Sequence, residues 1–79
     1  MQAEFIKELI VKGLPGATVD IHSGDGVHFE AVIVSAAFDG KRTVERHRLV
    51  YAALGDKMGG EIHALSMQTF TPEQWKERA

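Results

Sequence analysis

The sequence predicts an α+β fold: a three-stranded sheet packed by helices on one face. Three observations predict it. Apolar periodicity switches from helical to alternating and back, in the order helix, strand, strand, helix, strand, helix. A glycine turn, Ser23-Gly24-Asp25-Gly26, separates the first two strands and makes them an antiparallel hairpin. The third strand follows a helix, a connection long enough for it to pair with either hairpin strand. A sheet covered by the apolar stripes of its helices is the natural closure.

Each element has a local reason. Ala3, Phe5, Ile6, Leu9 and Ile10 recur at helical spacing, with Glu4, Lys7, Glu8 and Lys12 opposite. Gly13 suits a left-handed C-terminal position and Pro15 blocks continuation, so this helix ends near Lys12. Residues 17–22 alternate, Val19 and Ile21 against Asp20 and His22. Residues 27–35 form the second strand, with Phe29, Ala31 and Ile33 on one face and His28, Glu30, Val32 and Val34 on the other.

Asp39-Gly40 breaks the chain, and Thr43 is the expected N-cap of the second helix. Its expected apolar stripe is Val44, His47, Tyr51, Leu54 and Met58, flanked by Val50, with Gly59-Gly60 ending the helix. Residues 61–70 alternate as a third strand, and periodicity does not say which of its faces is buried. Thr71-Pro72-Glu73-Gln74 then opens a short helix: Thr71 caps, Pro72 needs no N–H partner, Gln74 completes a capping box, and Trp75 anchors the turn.

Composition narrows function. The 79 residues make one domain, and a chain this short buries only about 60% of its unfolded surface. With no cysteine there is neither a disulfide nor a thiolate ligand, so a self-contained cysteine-zinc or iron–sulfur site is excluded. A formal net charge of −2 argues against nucleic-acid binding by the whole surface but allows a local basic patch. No apolar run approaches the roughly 20 residues of a membrane span, and Met1-Gln2-Ala3-Glu4-Phe5 lacks a signal peptide's basic start. A cytoplasmic protein that does not engage membranes is expected.

The chemistry-bearing residues are few. There is no nucleophile elbow and no His-Glu-x-x-His helix, so an enzyme is not expected. Gly24-Asp25-Gly26 joins two strands with an acid at its centre, which suits a turn and repels phosphate. Gly13-Leu14-Pro15-Gly16 is literally a G-x-x-G, but it joins a helix to a strand and contains proline. Lys41, Arg42, Arg46 and Arg48 form a basic run that is either a solvated face or a docking site for nucleic acid, an acidic partner or an anionic cofactor. His47 lies on the expected apolar stripe and reads as a packed histidine. His63, early in the third strand, is a candidate metal ligand; His22 and His28 flank the hairpin turn and could each supply a second nitrogen. Two imidazoles leave a metal open, so further ligands must come from a partner.

Several motifs in order carry a family resemblance. Phe38-x-Gly40-x-x-x-Val44-x-Arg46-His47-Arg48-Leu49-Val50-Tyr51, then Ile62-His63-Ala64-Leu65-Ser66, then Thr71-Pro72-x-x-Trp75, resemble the BolA family. Gly24-Asp25-Gly26-x-His28-Phe29 is similar to the short bacterial BolA-like proteins of the YrbA type. The resemblance runs from Leu9 to Trp75 and implies that residues 1–79 are a single BolA-like domain. The implied fold is class II KH-like, αββαβ plus a final helix, without the KH nucleic-acid loop.

The resemblance also implies two activities. One is that of a non-enzymatic adaptor in iron–sulfur trafficking or iron sensing, which binds a monothiol glutaredoxin and shares a bridging [2Fe–2S] cluster. The glutaredoxin supplies one cysteine and a glutathione thiolate; the BolA side supplies His63 and a second ligand from the hairpin loop. Asp25 stands where cysteine-type members carry that ligand, and the loop is shorter than in histidine-type members; His28 belongs to a motif shared with members that keep a separate loop histidine, which reads as structural and makes His22 a live candidate, with the choice among His22, His28 and Asp25 open. The other activity is DNA-binding transcriptional regulation through Lys41, Arg42, Arg46 and Arg48. Alone, the chain is expected to be a monomer or weak homodimer.

Overall fold

The computed structural model describes residues 2–58 and 64–78. In chain order they form α1 (Ala3–Gly13), β1 (Thr18–His22), β2 (His28–Val34), a 3₁₀ turn (Ala36–Phe38), α2 (Thr43–Leu54), a second 3₁₀ turn (Gly55–Lys57), β3 (Ala64–Phe70) and α3 (Pro72–Arg78). This is the α+β order expected from periodicity, with strands β1-β2-β3 side by side.

The register settles the pairing that the sequence left open. β1 runs antiparallel to β2, with Val19 opposite Ile33 and His22 opposite Glu30. β3 runs parallel to β2, with His28 opposite Ala64 and Val34 opposite Phe70. The crossover through α2 is what permits the parallel pair. Alternation from this register puts Val19, Ile21, Phe29, Ala31, Ile33, Leu65 and Met67 on one face. Against that face, α1 packs on β1 and α2, and α2 packs on β3. Ile6 and Ile10 from α1, Val50 and Leu54 from α2, and Phe38 from the first 3₁₀ turn close the core. The other face carries Asp20, His22, His28, Glu30, Ser66 and Gln68. α3 reaches this side through Trp75, whose ring meets Phe70 edge-on at 5.3 Å. Among the described helices, α1 and α2 are the pair that share the covered face.

Four local expectations need correction. Thr43 is not the N-cap of α2: Arg42 holds that place in extended backbone, and its N–H donates to Glu45 Oε1 at 2.9 Å. A carboxylate at the third helical position satisfies the end without a capping hydroxyl. α2 also stops at Leu54, where Gly55 takes a φ of 61°, earlier than the expected end at Gly59-Gly60. Those two glycines, with residues 61–63 of the expected third strand, lie outside the described residues.

The buried stripe of α2 is displaced in part: Leu54, the flanking Val50 and Met58 meet the core as expected, but Val44 and Tyr51 do not. Val44 and Tyr51 are 50% and 39% exposed, whereas Val50 and Leu54 are buried and Leu49 packs against the core. The true inward row is Arg46, Leu49, Val50, Ala53 and Leu54, an uninterrupted i, i+3, i+4, i+7, i+8 pattern. It wins because it carries four apolar residues within two turns, where the competing row is interrupted by His47. Gly13, finally, is helical rather than left-handed. Its absent Cβ is what lets α1 lie against α2, since a Cβ there would overlap that of Ala53. By contrast, the capping box of α3 forms as expected: Gln74 N–H donates to Thr71 Oγ1 at 3.1 Å and Thr71 N–H to Gln74 Oε1 at 3.0 Å.

Candidate functional site

The hairpin turn is built around one carboxylate. Asp25 Oδ1 accepts the backbone N–H groups of Val27 and His28, both at 2.9 Å. Gly26 N–H donates to Ser23 Oγ at 2.9 Å, and Gly26 itself sits at φ 75°, a conformation glycine adopts without cost. Asp25 Oδ2 lies 2.8 Å from His28 Nδ1. The His28 backbone N–H, then its ring, then the Val27 N–H hold the Asp25 carboxyl well below the usual carboxylate range.

A carboxylate has only acceptors, so the hydrogen between Asp25 and His28 belongs to Nδ1. The other ring nitrogen of His28 makes no hydrogen bond or ion pair among the described residues, and its side chain is 72% exposed. His22 is arranged differently: its Nε2 faces Glu30 Oε2 across the β1–β2 ladder at 3.5 Å. His22, Asp25 and His28 line one shallow depression with Glu30. The structure thus gathers the three hairpin candidates.

His63 lies outside the described residues. Ala64, which follows it in the chain, is paired with His28 at the same end of the sheet. Among the described residues, no group of three or more His, Cys, Asp or Glu could hold a metal ion alone. What the turn offers is one imidazole nitrogen without a partner among the described residues, enough for a single donor to a metal but not for a complete site.

The basic run is not one surface. Lys41, Arg42 and Arg48 are exposed, with Arg42 at 3.9 Å from its neighbour Glu45. Arg46 is half-buried and committed inward. Its Nε donates to Lys41 O at 2.9 Å, and its Nη1 to Gln74 Oε1 at 2.9 Å and Thr69 O at 3.3 Å. The guanidinium also lies over the Phe38 ring at 5.8 Å. Sequence reasoning did not separate Arg46 from its neighbours; the available signal was its place at the head of the Leu49, Val50, Ala53, Leu54 row. His47 is half-buried and meets the Tyr51 ring edge-on at 6.5 Å. Because Arg46 bonds Thr69 while His28 pairs with Ala64, the basic end and the histidine end lie at opposite ends of β3, about 16 Å apart.

Comparison with known proteins places this architecture. The family model "BolA-like protein" matches residues 15–74. Human BolA-like protein 1 is 46% identical over 56 residues, covering 71% of this chain and 41% of its own length. The DNA-binding transcriptional regulator BolA of Haemophilus influenzae is 47% identical over 53 residues, covering 67% of this chain and 52% of the relative. The chain thus spans about two-fifths to half the length of these relatives. A BolA homologue from Coxiella burnetii superposes with a TM-score of 0.86 at 45% identity, covering 96% of this chain and 97% of the other. The BolA domain of SufE1 from Arabidopsis thaliana gives 0.78 at 37% identity, covering 90% and 92%. Agreement in motif order, strand topology and nearly full-length superposition has one explanation: the chain belongs to the BolA family.

Proposed function

We propose that this chain is a non-enzymatic adaptor that binds a monothiol glutaredoxin and shares a bridging [2Fe–2S] cluster with it, in iron–sulfur trafficking or iron sensing. The observation that carries the reading is the hairpin turn, where a carboxylate-anchored histidine offers an unpaired nitrogen beside the start of β3. A chain without cysteine leaves the thiolates to the partner and its glutathione, and contributes imidazole: His63 together with a hairpin histidine. Mixed nitrogen and sulfur ligation raises a cluster's potential relative to all-thiolate ligation, which suits sensing or transfer. The exposed cations Lys41, Arg42 and Arg48 are available for docking. Mixing the purified chain with cluster-loaded monothiol glutaredoxin should change the visible circular dichroism, and His63→Ala should abolish the change. An unaltered spectrum, or one indifferent to that substitution, would sink the reading.

A second reading is supported by the regulator name of the Haemophilus relative and by the same exposed cations. In it, Lys41, Arg42 and Arg48 contact DNA phosphates. Binding would then weaken with salt by a log–log slope of about 0.9 per contact. An anisotropy titration flat at low salt would remove it.

A further inference from the structure

The hairpin turn says more than that a histidine is available. We infer that Asp25 is a positioning residue: its carboxylate fixes the His28 ring in the Nδ1–H tautomer and so presents the Nε2 lone pair as this chain's hairpin donor to a shared metal. The inference rests on the adaptor reading and goes beyond it by choosing His28 over His22 and Asp25.

The geometry supports each step. Asp25 cannot swing away, because Oδ1 is held by two backbone N–H groups while Oδ2 meets His28 Nδ1. With Nδ1 donating, a neutral ring must leave Nε2 bare. A carboxylate behind a ligating imidazole is a common outer-shell arrangement, and it raises the basicity of the donor nitrogen. His22 lacks such support: its carboxylate partner is at 3.5 Å on the opposite strand, with both side chains about three-quarters exposed. Asp25 itself has both oxygens occupied within the turn, so it is not free to replace the cysteine of cysteine-type members.

One substitution isolates the tautomer from the turn. In Asp25→Asn, the amide oxygen must keep the Val27 and His28 N–H groups, because an NH₂ there would face two donors. The NH₂ then points at His28 Nδ1 and donates to it. The ring is driven to the Nε2–H form while the backbone stays in place. The same exchange of carboxylate for amide inverts the histidine tautomer in serine-protease triads.

The test has two arms. Long-range ¹H–¹⁵N spectra of the chain alone, at a pH where imidazoles are neutral, should show His28 as Nδ1–H and convert it to Nε2–H in Asp25→Asn, with the Val27 amide signal retained. Titration with cluster-loaded glutaredoxin, followed by visible circular dichroism, should weaken about 10–100-fold in Asp25→Asn, a usual cost of losing outer-shell support. His28→Ala should abolish the signal and His22→Ala should leave it within twofold. An Nε2–H ring in the unsubstituted chain, an Asp25→Asn titration matching wild type, or a signal lost with His22 rather than His28 would overturn the inference. If the unsubstituted chain gives no cluster signal, the adaptor reading falls, and the ring spectra alone decide whether Asp25 sets the tautomer.

Discussion

Arg46 and Arg48 are two residues apart and chemically alike, yet the fold uses them in opposite ways. Arg46 spends its donors on Lys41 O, Thr69 O and Gln74 Oε1, tying the start of α2 to the end of β3 and to the cap of α3. Arg48 points to solvent. Arg46→Ala should therefore destabilise the domain by about 1–3 kcal/mol, the range for losing hydrogen bonds made by a charged group. Arg48→Ala should stay within about 0.5 kcal/mol in the same urea titration. A loss of DNA or partner binding in an Arg46 variant would be interpretable only alongside its stability. Nothing in the linear run Lys41, Arg42, Arg46, Arg48 marks this difference, because the carbonyls that capture Arg46 come partly from residues more than twenty positions away.

At the scale of elements, the decisive contact is between α1 and α2. Gly13 lies against Ala53, and a methyl at Gly13 would overlap the Ala53 Cβ and crowd its backbone. Alanine is the better helix former by about 1 kcal/mol, so helix propensity alone predicts a gain for Gly13→Ala. Overpacking costs about 1–3 kcal/mol, and Ala53 has no flexible end to move aside. Gly13→Ala should thus be destabilising, measurable as a lower midpoint in thermal or urea unfolding; a stabilised variant would show that the helices separate freely. The first helix, the hairpin and the Thr71–Gln74 box were all legible in the sequence, because each depends on neighbours within a few residues. The inward face of α2 was not. Two apolar rows compete on that helix, and choosing between them depends on which neighbours it meets.

Across the whole molecule, the sheet separates two surfaces. The Asp25–His28 turn and the start of β3 occupy one end, while the head of α2 and the cap of α3 occupy the other. Substitutions at sites this far apart, with no shared partner, act independently. Replacing Lys41, Arg42 and Arg48 by alanine should therefore reduce any DNA affinity and flatten its salt dependence, yet leave the His28 ring tautomer unchanged in ¹⁵N spectra. A shift of that ring would reveal coupling through the sheet.

The sequence by itself determined the element types, the hairpin, the absence of any thiolate, and a family likeness spread over nearly the whole chain. These rest on local periodicity, short-range hydrogen bonds and residue chemistry. Only the tertiary structure decided that β3 runs parallel beside β2, that Arg46 is half-buried and bonded inward, that Gly13 is a helix contact, and that one hairpin histidine is held by a carboxylate with its far nitrogen unpaired among the described residues. Each of those depends on atoms brought together by the fold, whose separation is set by packing rather than by position along the chain.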